Sequence, residues 1–188
     1  KSNATGKKWA IAVDEPGKAK IALLPDNEDP EHNFARSRAM YGTLFAGGFG
    51  VEWYFGYASP NSDLTCQDFR SRDLFWDQNK YALQFFNNDL PFWQMEPKDQ
   101  LITSKSIAYC LAKEHEVYAI YAEENSDEIS INLGNSKKTY TISWFDPRNG
   151  GKLQKGLKTS VRANGIMTLG NPPSEVNKDW LILLQSKK

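Results

Sequence analysis

Near residue 100 the hydrophobic pattern of this chain changes character, and that change limits the possible folds more than any other feature. Beyond Leu101, seven short β-prone runs follow one another at 107–112, 117–122, 128–133, 139–145, 158–163, 166–169 and 180–184, separated by turn residues. In the fourth run Tyr140, Ile142 and Trp144 alternate with Thr141 and Ser143. That alternation predicts a strand with one buried face and one wet face. Asn149-Gly150 and Asn164-Gly165 read as type I′ hairpin turns, in which both central residues take positive φ. Many short strands at this spacing predict an antiparallel β-sandwich.

The first hundred residues have a different grammar. An apolar run, Trp9-Ala10-Ile11-Ala12-Val13, stops at Asp14-Glu15-Pro16-Gly17. Asp29-Pro30 then predicts an N-cap with proline at the first helical position. Phe34, Met40, Tyr41, Leu44 and Phe45 recur at helical spacing until Gly47-Gly48. A second short strand is expected at 50–54. A second helix follows at about 68–88, its apolar face made by Phe69, Phe75, Trp76, Leu83 and Phe86, with Pro91 beyond its end.

Strand, helix, strand, helix is the order of a parallel α/β unit. Two such units cannot close a sheet, because a parallel barrel takes about eight strands and roughly 250 residues. Open parallel edges are also liabilities. The expected fold class is therefore an α+β two-part chain. Residues 1–100 supply the last βα units of a (β/α)8 barrel, and residues 101–188 an antiparallel β-sandwich. On this reading the chain is the carboxy-terminal part of something longer.

Composition narrows the function. Of 188 residues, 40% are apolar, enough for a packed core. Lys+Arg and Asp+Glu number 23 each, so no net charge draws the chain to nucleic acid or to an anionic membrane. No apolar run approaches the roughly 20 residues of a membrane span. Cys66 and Cys110 form no CxxC pair and read as separate thiols, with Cys110 in a buried strand, although one disulfide between them stays open. His32 and His115 lack ligand spacing and are expected at the surface. The GxSxG, P-loop and GxGxxG motifs are absent, and no cofactor or metal is implied.

Three constellations could carry chemistry. Asp14-Glu15 follows a buried strand, where parallel α/β folds direct side chains into the ligand crevice. A carboxylate there can act as nucleophile or acid/base, or simply cap a turn. Glu52 stands at the end of the next strand, within Gly50-Val51-Glu52-Trp53-Tyr54-Phe55-Gly56-Tyr57. Aromatic faces beside carboxylates suit sugars, although any single ring can equally belong to the core. Asp68-Phe69-Arg70-Ser71-Arg72-Asp73 reads as solvated helix pairs, with Arg70 and Arg72 alternatively reaching a loop near Asp63. Trp144-Phe145-Asp146-Pro147-Arg148-Asn149-Gly150-Gly151 reads as structural, Arg148 bracing a hairpin against the other domain.

The stretches 9–17, 36–49, 50–57 and Asp63-Leu64 together resemble the end of a TIM-barrel glycoside hydrolase of the apiosidase-like, DUF4038-type family. The tail, with Tyr118-Ala119-Ile120-Tyr121 and the Trp144–Gly151 stretch just quoted, resembles the β-sandwich that follows those barrels and is labelled a collagen-binding domain. This resemblance implies a retaining glycosidase in which Glu15 is the nucleophile after strand seven. It implies that Asp14, Glu52, Trp53 and Tyr54 line the sugar subsite. The general acid, from an earlier strand, lies outside these residues. It implies as partners a carbohydrate, drawn from plant or bacterial polysaccharide side chains, and the preceding barrel portion, and it implies a secreted or periplasmic location. A non-catalytic carbohydrate- or collagen-binding sandwich is the alternative.

Overall fold

The computed structural model describes residues 6, 9–20, 22–57 and 69–187. Contacts divide the chain into two compact units, Lys1–Trp76 and Asp77–Lys188. The division falls inside the long helix, most of which clusters with the sheet that follows it. The whole is a mixed α+β chain whose main sheet is antiparallel.

In the first unit, β1 (Ala12–Val13) pairs with β2 (Gly50–Val51) in parallel, Ala12 opposite Gly50 and Val13 opposite Val51. Both strands are shorter than the apolar runs that predict them. Between them lies a helix that starts as a π-helix over Ala35–Tyr41 and continues as α1, Gly42–Phe45. Its inner face is Ala35, Ala39, Met40, Tyr41 and Phe45, whereas Phe34 is exposed. Asp29-Pro30 does not open this helix. Asp29 Oδ1 instead accepts the amide of His32 at 3.0 Å, a local turn that delays the helix by several residues. The stop is where the glycines predict it. Gly48 N donates to Thr43 O at 2.9 Å, and a Cβ on Gly48 would sit 2.6 Å from the Thr43 methyl.

The long helix α2 spans Asp73–Asp89, preceded by a 3₁₀ turn over Phe69–Arg72. Its buried positions are Phe75, Gln78, Ala82, Phe85 and Phe86, while Phe69 and Leu83 lie exposed. The true apolar stripe is thus rotated from the expected one and takes in the small Ala82 and the polar Gln78. Arg72, expected in solvent, is fully buried. Its Nε donates to Leu23 O at 2.8 Å and its guanidinium lies 4.0 Å from the Phe55 ring centre. Asp63, Leu64, Cys66 and Asp68 lie outside the described residues.

The second unit holds eight further strands. These are β3 (Glu96–Pro97), β4 (Ala108–Lys113), β5 (Val117–Ala122), β6 (Ser130–Asn132), β7 (Thr139–Phe145), β8 (Ser160–Arg162), β9 (Ile166–Thr168) and β10 (Trp180–Ser186). Six of them form an antiparallel sheet in the order β3-β4-β5-β10-β7-β8, and β6 pairs with β9 separately. One face of the large sheet, with Cys110, Ile120, Ile142, Trp144, Ile182 and Leu184, packs with Ile129, Ile131, Leu133 and Leu169 of the small one. The other face carries Phe145, whose ring centre lies 5.2 Å from that of Phe85 on α2.

The two Asn-Gly pairs do not form type I′ hairpins, because only the glycine of each has positive φ, 67° at Gly150 and 78° at Gly165. Gly165 leads from β8 in one sheet to β9 in the other. Gly150 belongs to a turn built on Asp146, whose carboxylate accepts from the Arg148 amide and guanidinium and from the Asn149 amide and side chain. Arg148 also bonds Glu175 at 3.0 Å and lies over the Trp180 ring, so its brace stays within the sheet unit.

Cys110 is a free, buried thiol, as its place in an apolar strand predicts. Burial, then the charges of Asp99 and Glu114, push its pKa up to about 12. Ile182, fully buried between β5 and β7, gives the sharpest test of the packing. Ile182→Ala should cost about 3 kcal/mol in urea unfolding with little change in m-value.

Candidate active site

The parallel register fixes the chemistry at the end of the first unit. Glu52 N donates to Val13 O at 2.9 Å, continuing the ladder one step past Val51. Asp14 and Glu52 are therefore the next residues opposite each other, on strands about 4.8 Å apart, and in-register residues of a parallel pair project from the same face. Hydrogen bonding to Asp14, and then the repulsion between the two negative charges, raise the Glu52 pKa above its ordinary value, with desolvation and the charge of Glu15 adding less.

Glu15 leaves the strand in a left-handed conformation, φ 47°, and is exposed, as are Asp14 and Glu52. The three carboxylates thus gather at the carboxyl ends of β1 and β2, where the sequence anticipates a site. Within the group the tight pair is Asp14 with Glu52, and Glu15 contributes at longer range.

The rings that follow are held by packing. Trp53 is half-buried, edge-on to Phe75 with centres 4.6 Å apart. Tyr54 is 8% exposed and donates its hydroxyl to Ala19 O, while Tyr54 O accepts from Leu23 N at 3.0 Å. Tyr57 stands 60% exposed, its ring centre 6.0 Å from that of Tyr54. Ile11, Trp9 and Phe49 are open as well, at 49, 65 and 68%. The strand pair therefore has apolar flanks facing solvent.

Three buried polar residues behind this site went unread in the sequence. His32 and Arg36 are as deeply buried as Arg72, at 0 and 1% exposure. The Arg36 guanidinium donates to Glu31 O and Asn33 Oδ1. His32, expected at the surface, is buried because its ring nitrogens face carboxylates and its ring packs on Phe75. His115 is exposed, as expected. Among the described residues, no group of three or more His, Cys, Asp or Glu side chains is arranged to hold a metal ion. No helix among them is long and apolar enough to cross a membrane.

Comparison with known proteins bears on both units. Residues 97–185 match the family described as "Putative collagen-binding domain of a collagenase". Two solved structures share the fold at 15% identity, each aligned over 81% of this chain. One is a glycoside hydrolase, with a TM-score of 0.58, and the other a glycoside hydrolase family 5 protein from Bacteroides vulgatus ATCC 8482, at 0.63. The chain spans about a third of the length of these proteins, 36% in both cases. No curated protein matches the sequence.

The Asp14–Glu52 pairing yields a direct measurement. In Asp14→Asn the hydrogen bond to a charged partner and the repulsion both go, so the Glu52 carboxyl should titrate at lower pH than in the parent. Carboxyl-carbon NMR shifts followed from pH 3 to 8 would show it, and an unchanged Glu52 midpoint would mean the two groups do not interact.

Proposed function

We propose that the chain is the carboxy-terminal part of a glycoside hydrolase of the apiosidase-like type. Residues 1–100 would supply the last βα units of a (β/α)8 barrel and residues 101–188 an accessory sandwich. The observation that carries this reading is the parallel β1–β2 pair, with Asp14, Glu15 and Glu52 at its carboxyl end and apolar flanks such as Ile11 and Phe49 left open. Ligands of parallel α/β folds sit at that end of the strands. The fold shared with two glycoside hydrolases about three times as long supports the same reading.

In this reading Glu15 attacks the anomeric carbon of the sugar, the bond to the leaving oxygen breaks, and that oxygen takes a proton from a carboxylic acid on an earlier barrel strand. Water then releases the sugar from Glu15. Retention requires the two carboxyl groups about 5–5.5 Å apart. Asp14, Glu52 and Trp53 line the subsite. Asp14 and Glu52 accept hydrogen bonds from sugar hydroxyls there. Tyr54 braces the segment from below through its bond to Ala19. The substrate class is plant or bacterial polysaccharide side chains, met outside the cell or in the periplasm.

The full-length enzyme should hydrolyse such glycans, and Glu15→Gln should lower kcat at least about 100-fold while leaving the thermal melt unchanged. Full activity in that variant would remove Glu15 from the chemistry.

The description of the family matched by residues 97–185 favours a second reading, a non-catalytic module that captures carbohydrate or collagen. Incubated with insoluble glycans and with collagen, the chain should then be retained on one of them at physiological salt. Retention on neither would dismiss the module.

A further inference from the structure

Both nitrogens of the buried His32 ring face carboxylate oxygens. Nε2 lies 2.7 Å from Asp26 Oδ1 and Nδ1 lies 3.8 Å from Asp29 Oδ2. Nδ1 is shut off from solvent and has no hydrogen-bond partner at this separation. The ring itself is 0% exposed, packed at 5.1 Å on Phe75, and its residue is held at φ 48°, a left-handed conformation in which a non-glycine residue carries strain. A neutral imidazole has one donor and one acceptor. Here the acceptor nitrogen would turn its lone pair on a carboxylate. The imidazolium, positive at both nitrogens, instead faces a negative charge on each side.

The two carboxylates are not idle. Asp26 Oδ2 accepts the amide of Leu74 at 3.0 Å, at the open amino end of α2, and Asp26 N donates to Ser71 O at 2.8 Å. Asp29 Oδ1 accepts the His32 amide. Two buried arginines flank the ring. Arg36, from the following helix, turns to Glu31 O and Asn33, and Arg72, from the turn before α2, turns to Leu23 O, Ser71 and the face of Phe55. The ring is thus the pivot between the 26–32 turn and the start of α2. Phe75 beneath it packs against Trp53, next to Glu52.

We propose that His32 is a proton-operated latch. As the imidazolium it joins Asp26 to Asp29 and holds the 26–32 turn on the first turn of α2. When one ring proton leaves, the Asp29 side comes free and the Phe75–Trp53 packing loosens. Acid therefore closes the latch, and rising pH opens it onto the segment that carries Glu52. This inference stands apart from the hydrolase reading, since none of its steps uses Glu15 or a sugar.

The test uses the whole chain labelled with ¹⁵N-histidine. Long-range ¹H–¹⁵N spectra should show both His32 nitrogens protonated at pH 5.5, and near-UV circular dichroism should change together with the loss of one proton as pH rises. Asp29→Asn keeps the acceptor for the His32 amide but removes the charge, so it should move the dichroism change to lower pH. His32 remaining a single neutral tautomer from pH 5 to 9 would overturn the latch. So would a dichroism change that ignores the ring's proton, or one unmoved in a folded Asp29→Asn variant.

Discussion

The sheet unit depends on one strand being buried on every side. β10 pairs with β5 along one edge and β7 along the other, and Trp180 through Leu184 are all at most 2% exposed. A strand in that position needs apolar residues at consecutive positions, because each face meets a different layer. The even-numbered side chains meet the β6–β9 layer and the odd-numbered ones share the face of Phe145, against which Phe85 of α2 rests. The sequence Trp-Leu-Ile-Leu-Leu satisfies both. Its neighbour β5, Val-Tyr-Ala-Ile-Tyr-Ala, is buried from Tyr118 to Ala122 and places tyrosines where a hydroxyl finds a partner, as Tyr121 does on Asp179 at 2.6 Å.

What could be read from residues alone followed how local the signal was. The runs 117–122 and 139–145 match β5 and β7 residue for residue, since alternation and β-branching act within the strand itself. The parallel relation of β1 and β2 was legible from the helix between them. The stripe on α2 was not, because Ala82 and Gln78 carry no strong apolar signal and their burial is set by tertiary packing. The Asn-Gly pairs misled for a similar reason. The geometry at Asn149 is set by the Asp146 carboxylate, and the chain after Asn164 leaves for another sheet, so turn propensity had no hairpin to act on.

The candidate site was legible in position but not in pairing. Strand ends marked Asp14, Glu15 and Glu52. Which carboxylates meet is decided by strand register, a long-range fact, and it couples Asp14 more tightly than Glu15 to Glu52. The buried cations and the buried histidine were illegible because their burial rests on partners such as Leu23 O and Asp26, brought in from other segments. A charge run read as solvated therefore conceals Arg72, whose desolvation is offset by a backbone oxygen and an aromatic face.

The place of β10 in the sheet also has a consequence in time. Half of the hydrogen-bond ladder on β5 and on β7 waits for residues 180–186, which follow every other strand of the sheet in chain order. Until then β3-β4-β5 and β7-β8 are two separate ribbons, each with an apolar edge that could zip to the wrong neighbour. Nascent chains stalled before Trp180 would accordingly be clients for chaperones, and the sheet is committed only once residues 180–186 have emerged.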